Sequence, residues 1–355
     1  MPWRPDTLWL TATALLLAAG GIGSNSAVHA ADGPQQFLKK SDDWFAGAEA
    51  KRLAENVLSH QSDLGGWPKN VDTSATHFDG ERSKLAPTFD NGATTVELRF
   101  LARMVRATGE ARYREAFDKG LAYILKAQYA NGGWPQYSPP PRNSYHRHIT
   151  FNDSATTRLL EFLRDCKTAD AFAFVPEERK RTAGEAFDRG VQCILKCQIR
   201  VNGKLTAWCA QHDEVDFRPR PARTFELTSL SGAESVGIVR LLMSIEHPSA
   251  EIIEAVDAAV AWFESARLAG IRVVDRDDAR SPSGKNKVVV NDPAAPPLWA
   301  RFYEIETNRP LFADRDGVAK YDLSEIGFER RNGYAWYGNW PQRLLEREYP
   351  AWKTR

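Results

Sequence analysis

Two near-identical phrases hold the residues best suited to chemistry. Phe89-Asp90-Asn91-Gly92-Ala93-Thr94-Thr95 is followed 62 residues later by Phe151-Asn152-Asp153-Ser154-Ala155-Thr156-Thr157. Both open a helical apolar pattern, so Asp90 and Asp153 are expected at equivalent points of two copies of one unit. Asp and Ser ahead of a helix are favoured N-caps, worth about 1 kcal/mol through bonds to free backbone N–H groups. The same carboxylates can hold a metal ion, and the two roles are compatible. A third copy, Thr228 to Ser235, has Ser231 near where the other two have Asp.

A second constellation is cationic. Gln211 to Glu226 spaces Arg218, Arg220 and Arg223 with Pro219 and Pro221. The prolines keep this backbone extended and stiff. A solvated basic loop needs no ligand. The planar arginine fork, however, suits repeated carboxylates, and Arg301, Arg309 and Arg315 are available as a facing wall. With 47 Lys plus Arg against 46 Asp plus Glu, no global field draws the chain to nucleic acid or an anionic membrane. The partner this pattern favours is an acidic polysaccharide.

These residues are positioned by a repeat. Gln61-Ser62-Asp63-Leu64-Gly65-Gly66-Trp67-Pro68 returns as Gln128 to Pro135, and Ala116 to Gln128 returns as Ala186 to Gln198, with a fainter copy from Ala255 to Phe263. Periodicity predicts a first helix over Ser41 to Gln61, capped by Ser41. Three helical hairpins follow: Asn91–Ala107 with Glu110–Tyr129, Asp153–Cys166 with Pro176–Ile199, and Ser231–Ile245 with Ser249–Leu268. A hairpin apolar on most of one face cannot bury it alone, so the fold class expected is all-α. The units close into an α/α toroid whose repeat-starting loops share one end. Gly270 to Asn286 reads as polar loop, Val288–Val290 as a short strand and Pro296–Thr307 as a helix. Arginines and aromatics alternate in the irregular C-terminal segment that follows.

Residues 1–30 read as an export signal, with Arg4, an apolar run from Leu8 to Ala19, and small residues ending at Ala30. Residues 31–355 then form one exported catalytic domain, periplasmic or extracellular, that does not enter a membrane and acts as a monomer. Cys166, Cys193, Cys197 and Cys209 fall in one window, as buried thiols or a structural bridge. Cys193 and Cys197 share a helix face but lack the further ligands of a zinc site.

The Gly-Gly-Trp-Pro loops have two readings: a tryptophan anchoring a turn, or a flat aromatic facing a sugar or lipid. Gln61 and Gln128 complete Gln-x-x-x-Gly-x-Trp, which resembles the triterpene cyclase repeat, and Asp275-Arg276-Asp277-Asp278 resembles the acid motif of those enzymes. Length and the export signal argue against that class.

A more extensive resemblance covers nearly all of the mature chain. Gly65–Asn70, Thr88–Glu97, Gly132–Tyr137, Phe151–Thr157, Ala207–Gly232 and Leu298–Pro341 resemble the family 10 polysaccharide lyases, pectate lyases with an (α/α)3 toroid of three repeats. The resemblance implies calcium-dependent anti-β-elimination on polygalacturonate, the pectin backbone, giving 4,5-unsaturated oligogalacturonates. It assigns Asp90 and Asp153 to the Ca2+ site, Arg223 as base, and Arg309 to a substrate carboxylate. Asn91 is a further metal candidate, and Arg220, Arg301, Arg315 and Lys287 are further substrate candidates. A base must be neutral when it takes a proton, which suits arginine poorly. Arg220, Arg218, His212 and Lys287 therefore stay open as alternatives to Arg223. Two other functions share the same features, a glycoside hydrolase on an α/α toroid and a non-catalytic acidic-polysaccharide-binding protein.

Overall fold

A computed structural model describes residues 33–355, and the expected export signal lies outside the described residues. Eight helices make up the body: α1 (Asp42–Ala46), α2 (Ala48–Ser59), α3 (Thr95–Thr108), α4 (Ala111–Ala127), α5 (Ala155–Thr168), α6 (Glu177–Cys197), α7 (Glu234–Met243) and α8 (Ala250–Ser265). The fold is the expected all-α toroid. Helices α3, α5 and α7 lie side by side, each packed on its hairpin partner, and α6 packs on α8. Ser41 does cap the first helix, by accepting from Trp44 N, but Gly47 in extended conformation divides that helix into α1 and α2. Among the described residues no helix is long and apolar enough to cross a membrane.

The Gly-Gly-Trp loops explain the repeat. Trp67, Trp134 and Trp208 are fully buried. Their indole N–H groups donate to the carbonyls of Val57, Ile124 and Ile194 at 2.7, 3.0 and 2.8 Å, near the end of the helix just completed. Trp299 does the same to Phe263 at 2.8 Å, a fourth instance outside any repeated phrase. Each loop is also tied to the next hairpin. Gln61 donates to Gly65 O and Ala116 O, Gln128 to Gly132 O and Ala186 O, and Gln198 to Thr206 O and Ala255 O, all at 2.8–3.0 Å. The cyclase-like glutamines are thus struts between repeats. Gly132, at φ +94°, has no room for a side chain against Arg189 O.

The tail departs from its sequence reading. Ile271–Asp277 pairs antiparallel with Lys285–Asn291, so the stretch read as loop holds the first strand and the turn of a hairpin with seven residues in each strand. Pro296–Thr307 is not helical. Trp299–Ala300 pairs with Tyr337–Gly338, and Phe302–Tyr303 pairs with Leu230–Ser231. Leu298, Trp299, Phe302 and Tyr303 imitate a helical period, but tertiary pairing overrides it. The acids Asp277 and Asp278 sit on the exposed hairpin, paired with Lys285 and Arg280. A second small core of Phe225, Phe302, Phe312 and Trp336 lies under the tail. The chain end is fastened back by Arg240 to Glu348 at 2.6 Å and Tyr349 to Asp257 at 2.8 Å. All four cysteines are free and buried.

Replacing Gln128 by Leu removes its bond to Gly132 O within the loop and the two that join one hairpin to the next, donated to Ala186 O and accepted from Arg189. A loss of about 1–3 kcal/mol is expected, read as a lower urea midpoint with unchanged slope.

Candidate active site

The turns that open α3 and α5, Asp90–Gly92 and Asn152–Ser154, touch each other. At their junction is a cleft of about 200 Å³. Asp90, Asn91, Asn152 and Asp153 come from the turns. Lys69, Asn70, Gln136 and Tyr145 come from the loops after Trp67 and Trp134, and Gln211, Arg223 and Glu226 come from the arginine-bearing segment.

The two acids are not equivalent after all. Asp90 corresponds to Asn152, and both are buried, whereas Asp153 corresponds to Asn91. Those two share left-handed backbone at φ 48° and 52°, a conformation Asn and Asp tolerate better than most residues. One carboxylate therefore lies deep, and the other, with 42% of its side chain exposed, faces the opening. In the third repeat the corresponding turn is blocked. Gly232 lies against Ala300 O, and Ser231 bonds to Glu234, which pairs with Arg301.

Each carboxylate has a cation beside it. Lys69 forms an ion pair with Asp90. Burial works against the Lys69 ammonium, but the Asp90 contact outweighs it and holds its pKa above the usual value. Arg301 reaches Asp153 at 3.7 Å while also pairing with Glu234. Burial, with the charges of Glu234 and Asp90, pushes the Asp153 carboxyl above its ordinary range, against the pull of Arg301. Two further oxygens, Gln136 Oε1 and Gln211 Oε1, are buried in the wall of the cleft and meet no donor. Buried acceptors left without a partner are uncommon. Together with the carboxylates they form a set of hard oxygen donors, and the residues fit a calcium ion.

Arg223 donates from Nε to Glu226 at 2.7 Å and from a terminal nitrogen to the other Glu226 oxygen, which also accepts from Tyr334 OH at 2.7 Å. Those hydrogen bonds raise the Arg223 pKa despite its burial. The guanidinium groups of Arg223 and Arg301 lie 5.7 and 5.0 Å from the Tyr334 ring, a cation–π arrangement that spaces two like charges.

Asp90, Asn91, Asp153 and Arg223 thus meet in one cleft, with Arg301 bonded to its edge. The other candidates lie outside its lining. Arg220 pairs with Asp213 at 2.6 Å, Arg315 with Glu329 at 2.9 Å and Arg218 with Asp216 at 3.5 Å. Arg309 stacks 3.7 Å over Tyr321, and Lys287 donates to Asn332 O at 3.2 Å. His212 is fully buried. Its Nε2 accepts from Cys209 N and its Nδ1 donates to Phe217 O, so neither nitrogen is free. Among the described residues, His148, Asp213 and Glu214 form a compact group of possible metal ligands. Its carboxylates are already matched by Arg147, His148 and Arg220.

Sequence reasoning missed Lys69, Gln136, Tyr145, Gln211, Glu226 and Tyr334. Lys69 and Gln136 hold the same place, two residues after the loop tryptophan, so the repeat contained a signal for both.

A family model described as pectic acid lyase matches residues 61–345. A solved family 10 polysaccharide lyase from Cellvibrio cellulosa is 37% identical, covers 87% of this chain and 95% of that one, and has a TM-score of 0.75. A mutant of the family 10 lyase from the same organism, in complex with trigalacturonic acid, is 36% identical with a TM-score of 0.75, covering 87% of this chain and 96% of that one. No curated protein matches.

Glu97 fixes the turn that holds Asp90. It accepts from Thr94 N at 2.8 Å and Thr73 Oγ1 at 3.0 Å, and burial pushes its pKa up to about 7. A carboxyl whose pKa is higher folded than unfolded binds its proton more tightly in the native state, so its contribution to stability falls as pH rises from about 4.5 to about 7. Glu97→Gln is expected to flatten the pH dependence of the thermal midpoint over that window.

Proposed function

Because the chain belongs to the pectic acid lyase family and is a pectate lyase, we propose that it is exported and cleaves polygalacturonate by calcium-assisted anti-β-elimination. The observation carrying this reading is the contact between the two turns, which brings Asp90 and Asp153 to one cleft beside Arg223. Support for the substrate comes from the trigalacturonic acid bound to the related lyase.

In a galacturonate unit, C5 carries a hydrogen beside the carboxylate and C4 carries the glycosidic oxygen. The C5–H bond breaks, its electron pair forms the C4=C5 double bond, and the C4–O bond breaks. The departing oxygen is then protonated from solvent. Charge builds on a carboxylate that is already negative, so the barrier is electrostatic. Asp90, Asp153 and Asn91, with the free amide oxygens of Gln136 and Gln211, would hold calcium, which when bound supplies positive charge to the sugar carboxylate. These protein oxygens leave part of a shell of six to eight to substrate and water. Lys69 must yield Asp90 for the ion to bind there. Arg301 opposes negative charge from the Asp153 side.

Arg223 is assigned the C5 proton. Its ion pair with Glu226 stabilises the charged form, so the neutral guanidine needed for proton transfer gains population only as pH rises. Activity is accordingly expected to favour the alkaline side.

The test is ultraviolet absorbance of polygalacturonate digests. Absorbance from a 4,5-unsaturated product should appear, vanish with chelator and return with calcium. Asp90→Asn and Asp153→Asn should each lower kcat/KM by roughly 10²–10³, the size of losing one element of transition-state electrostatics. Arg223→Lys should lower kcat more than it raises KM. Saturated product ends made equally well under chelator would instead indicate a hydrolase.

A further inference from the structure

A second cavity of about 480 Å³ opens off the cleft, and the two share Lys69, Asn70 and Asn91 as walls. Its volume lies within the ~300–1,000 Å³ range of small-ligand sites, and no step of the proposed reaction uses it. One wall is the first turn of α5. From there Arg158, exposed to solvent, reaches across to the Asp90–Gly92 turn of the preceding repeat. Gly92 permits this approach, since a methyl group at that position would collide with Arg158 Nη1.

Arg158 differs from the other cations of this cavity in its pairing. Lys69 is engaged by Asp90, and Arg99 by Asp165 at 2.7 Å. Among the described residues, no carboxylate lies within ion-pair distance of Arg158. Of the acids lining the cavity, Glu97 is committed to Thr94 and Thr73. Glu161, whose pKa burial raises, stands one turn along α5 from Arg158. A guanidinium with an open fork presents parallel N–H donors suited to a carboxylate. The Asn70 amide, whose oxygen accepts from Asn91 at 3.1 Å, adds its N–H donors for a hydroxyl.

Resting on the pectate lyase reading, we propose that this cavity is an additional sugar subsite, in which Arg158 holds the carboxylate of a galacturonate unit beyond the pair flanking the cleaved bond. Binding remote from the reacting carbons adds affinity for longer chains without altering the chemical step. The cavity thus biases the enzyme towards polymer over short oligomers.

The experiment compares digalacturonate with hexagalacturonate for the wild type, Arg158→Ala, Arg158→Lys and Glu161→Gln. Wild type should favour the hexamer by KM. Arg158→Ala should raise the hexamer KM roughly tenfold, as for one charge-assisted hydrogen bond at a partly exposed site, with kcat retained. Arg158→Lys should recover part of that loss, and Glu161→Gln should lower the hexamer KM by removing a like charge. A hexamer KM unchanged in Arg158→Ala, or one raised in parallel for dimer and hexamer, overturns the subsite. Retention on a polygalacturonate gel reads binding without turnover. A wild type that makes no unsaturated product refutes the lyase reading, while equal retention of wild type and Arg158→Ala refutes the subsite independently.

Discussion

The arrangement depends on a double fastening that recurs after each second helix. A buried tryptophan closes the loop onto the helix just finished, and a glutamine amide bridges that loop to the second helix of the next hairpin. The tryptophan bond is buried and the glutamine bonds are at least half-buried, where leaving a backbone acceptor unmet costs more than a surface bond contributes. The register between neighbouring hairpins is therefore set at one end of the toroid. The turns that open α3 and α5 lie at that end, which is how residues 63 positions apart come to share one small cleft.

Crowding acids there has an electrostatic cost, and the chain offsets it asymmetrically. The deep carboxylate, Asp90, is matched by Lys69, a mobile point charge on a flexible stem. The outer one, Asp153, is approached by Arg301, itself anchored by Glu234 and the Tyr334 face. Arginine keeps its charge and its geometry, whereas a lysine ammonium rearranges readily. The deep position is thus the one where an incoming divalent ion can replace a resident cation. The third repeat shows the alternative outcome, in which the corresponding turn is occupied by the chain's own Glu234, paired with Arg301.

Much of this was legible in the sequence because repeats expose function as deviation from a template. The helical hairpins, the shared end of their loops, Asp90 and Asp153 followed from phrases repeated along the chain, while Arg223 was set apart from Arg218 and Arg220 only by the family resemblance. The assumption that the two acids were equivalent did not survive, since the copies align Asp90 with Asn152 and Asp153 with Asn91. Where repetition stops, local reading failed. Trp299 and Phe302 imitate a helix in spacing, yet they pair as strands with Gly338 and Ser231, partners dozens of residues away that no window reveals. Glu226 and Tyr334 were invisible for the same reason. Their role exists only once the tail has folded back over the arginine-bearing segment.

That fold-back also bears on the proposed proton transfer. Glu226 takes two donors from the Arg223 guanidinium, a third from its backbone N–H and one from Tyr334, so the guanidinium is held by its inner edge and its remaining terminal nitrogen is left for substrate. The same bonds that aim this nitrogen keep it protonated, and orientation is gained at the expense of basicity. A freely rotating arginine would lose its proton somewhat more easily but would face the sugar only part of the time. Positioning of this kind contributes to rate through a favourable reacting geometry, and it lets a weakly populated neutral form suffice when calcium and Arg301 have already lowered the cost of charge on the sugar carboxylate. In this proposal the acids and the arginines act as one electrostatic unit, and the arginine half depends on the tail bringing the Tyr334 ring against both Arg223 and Arg301.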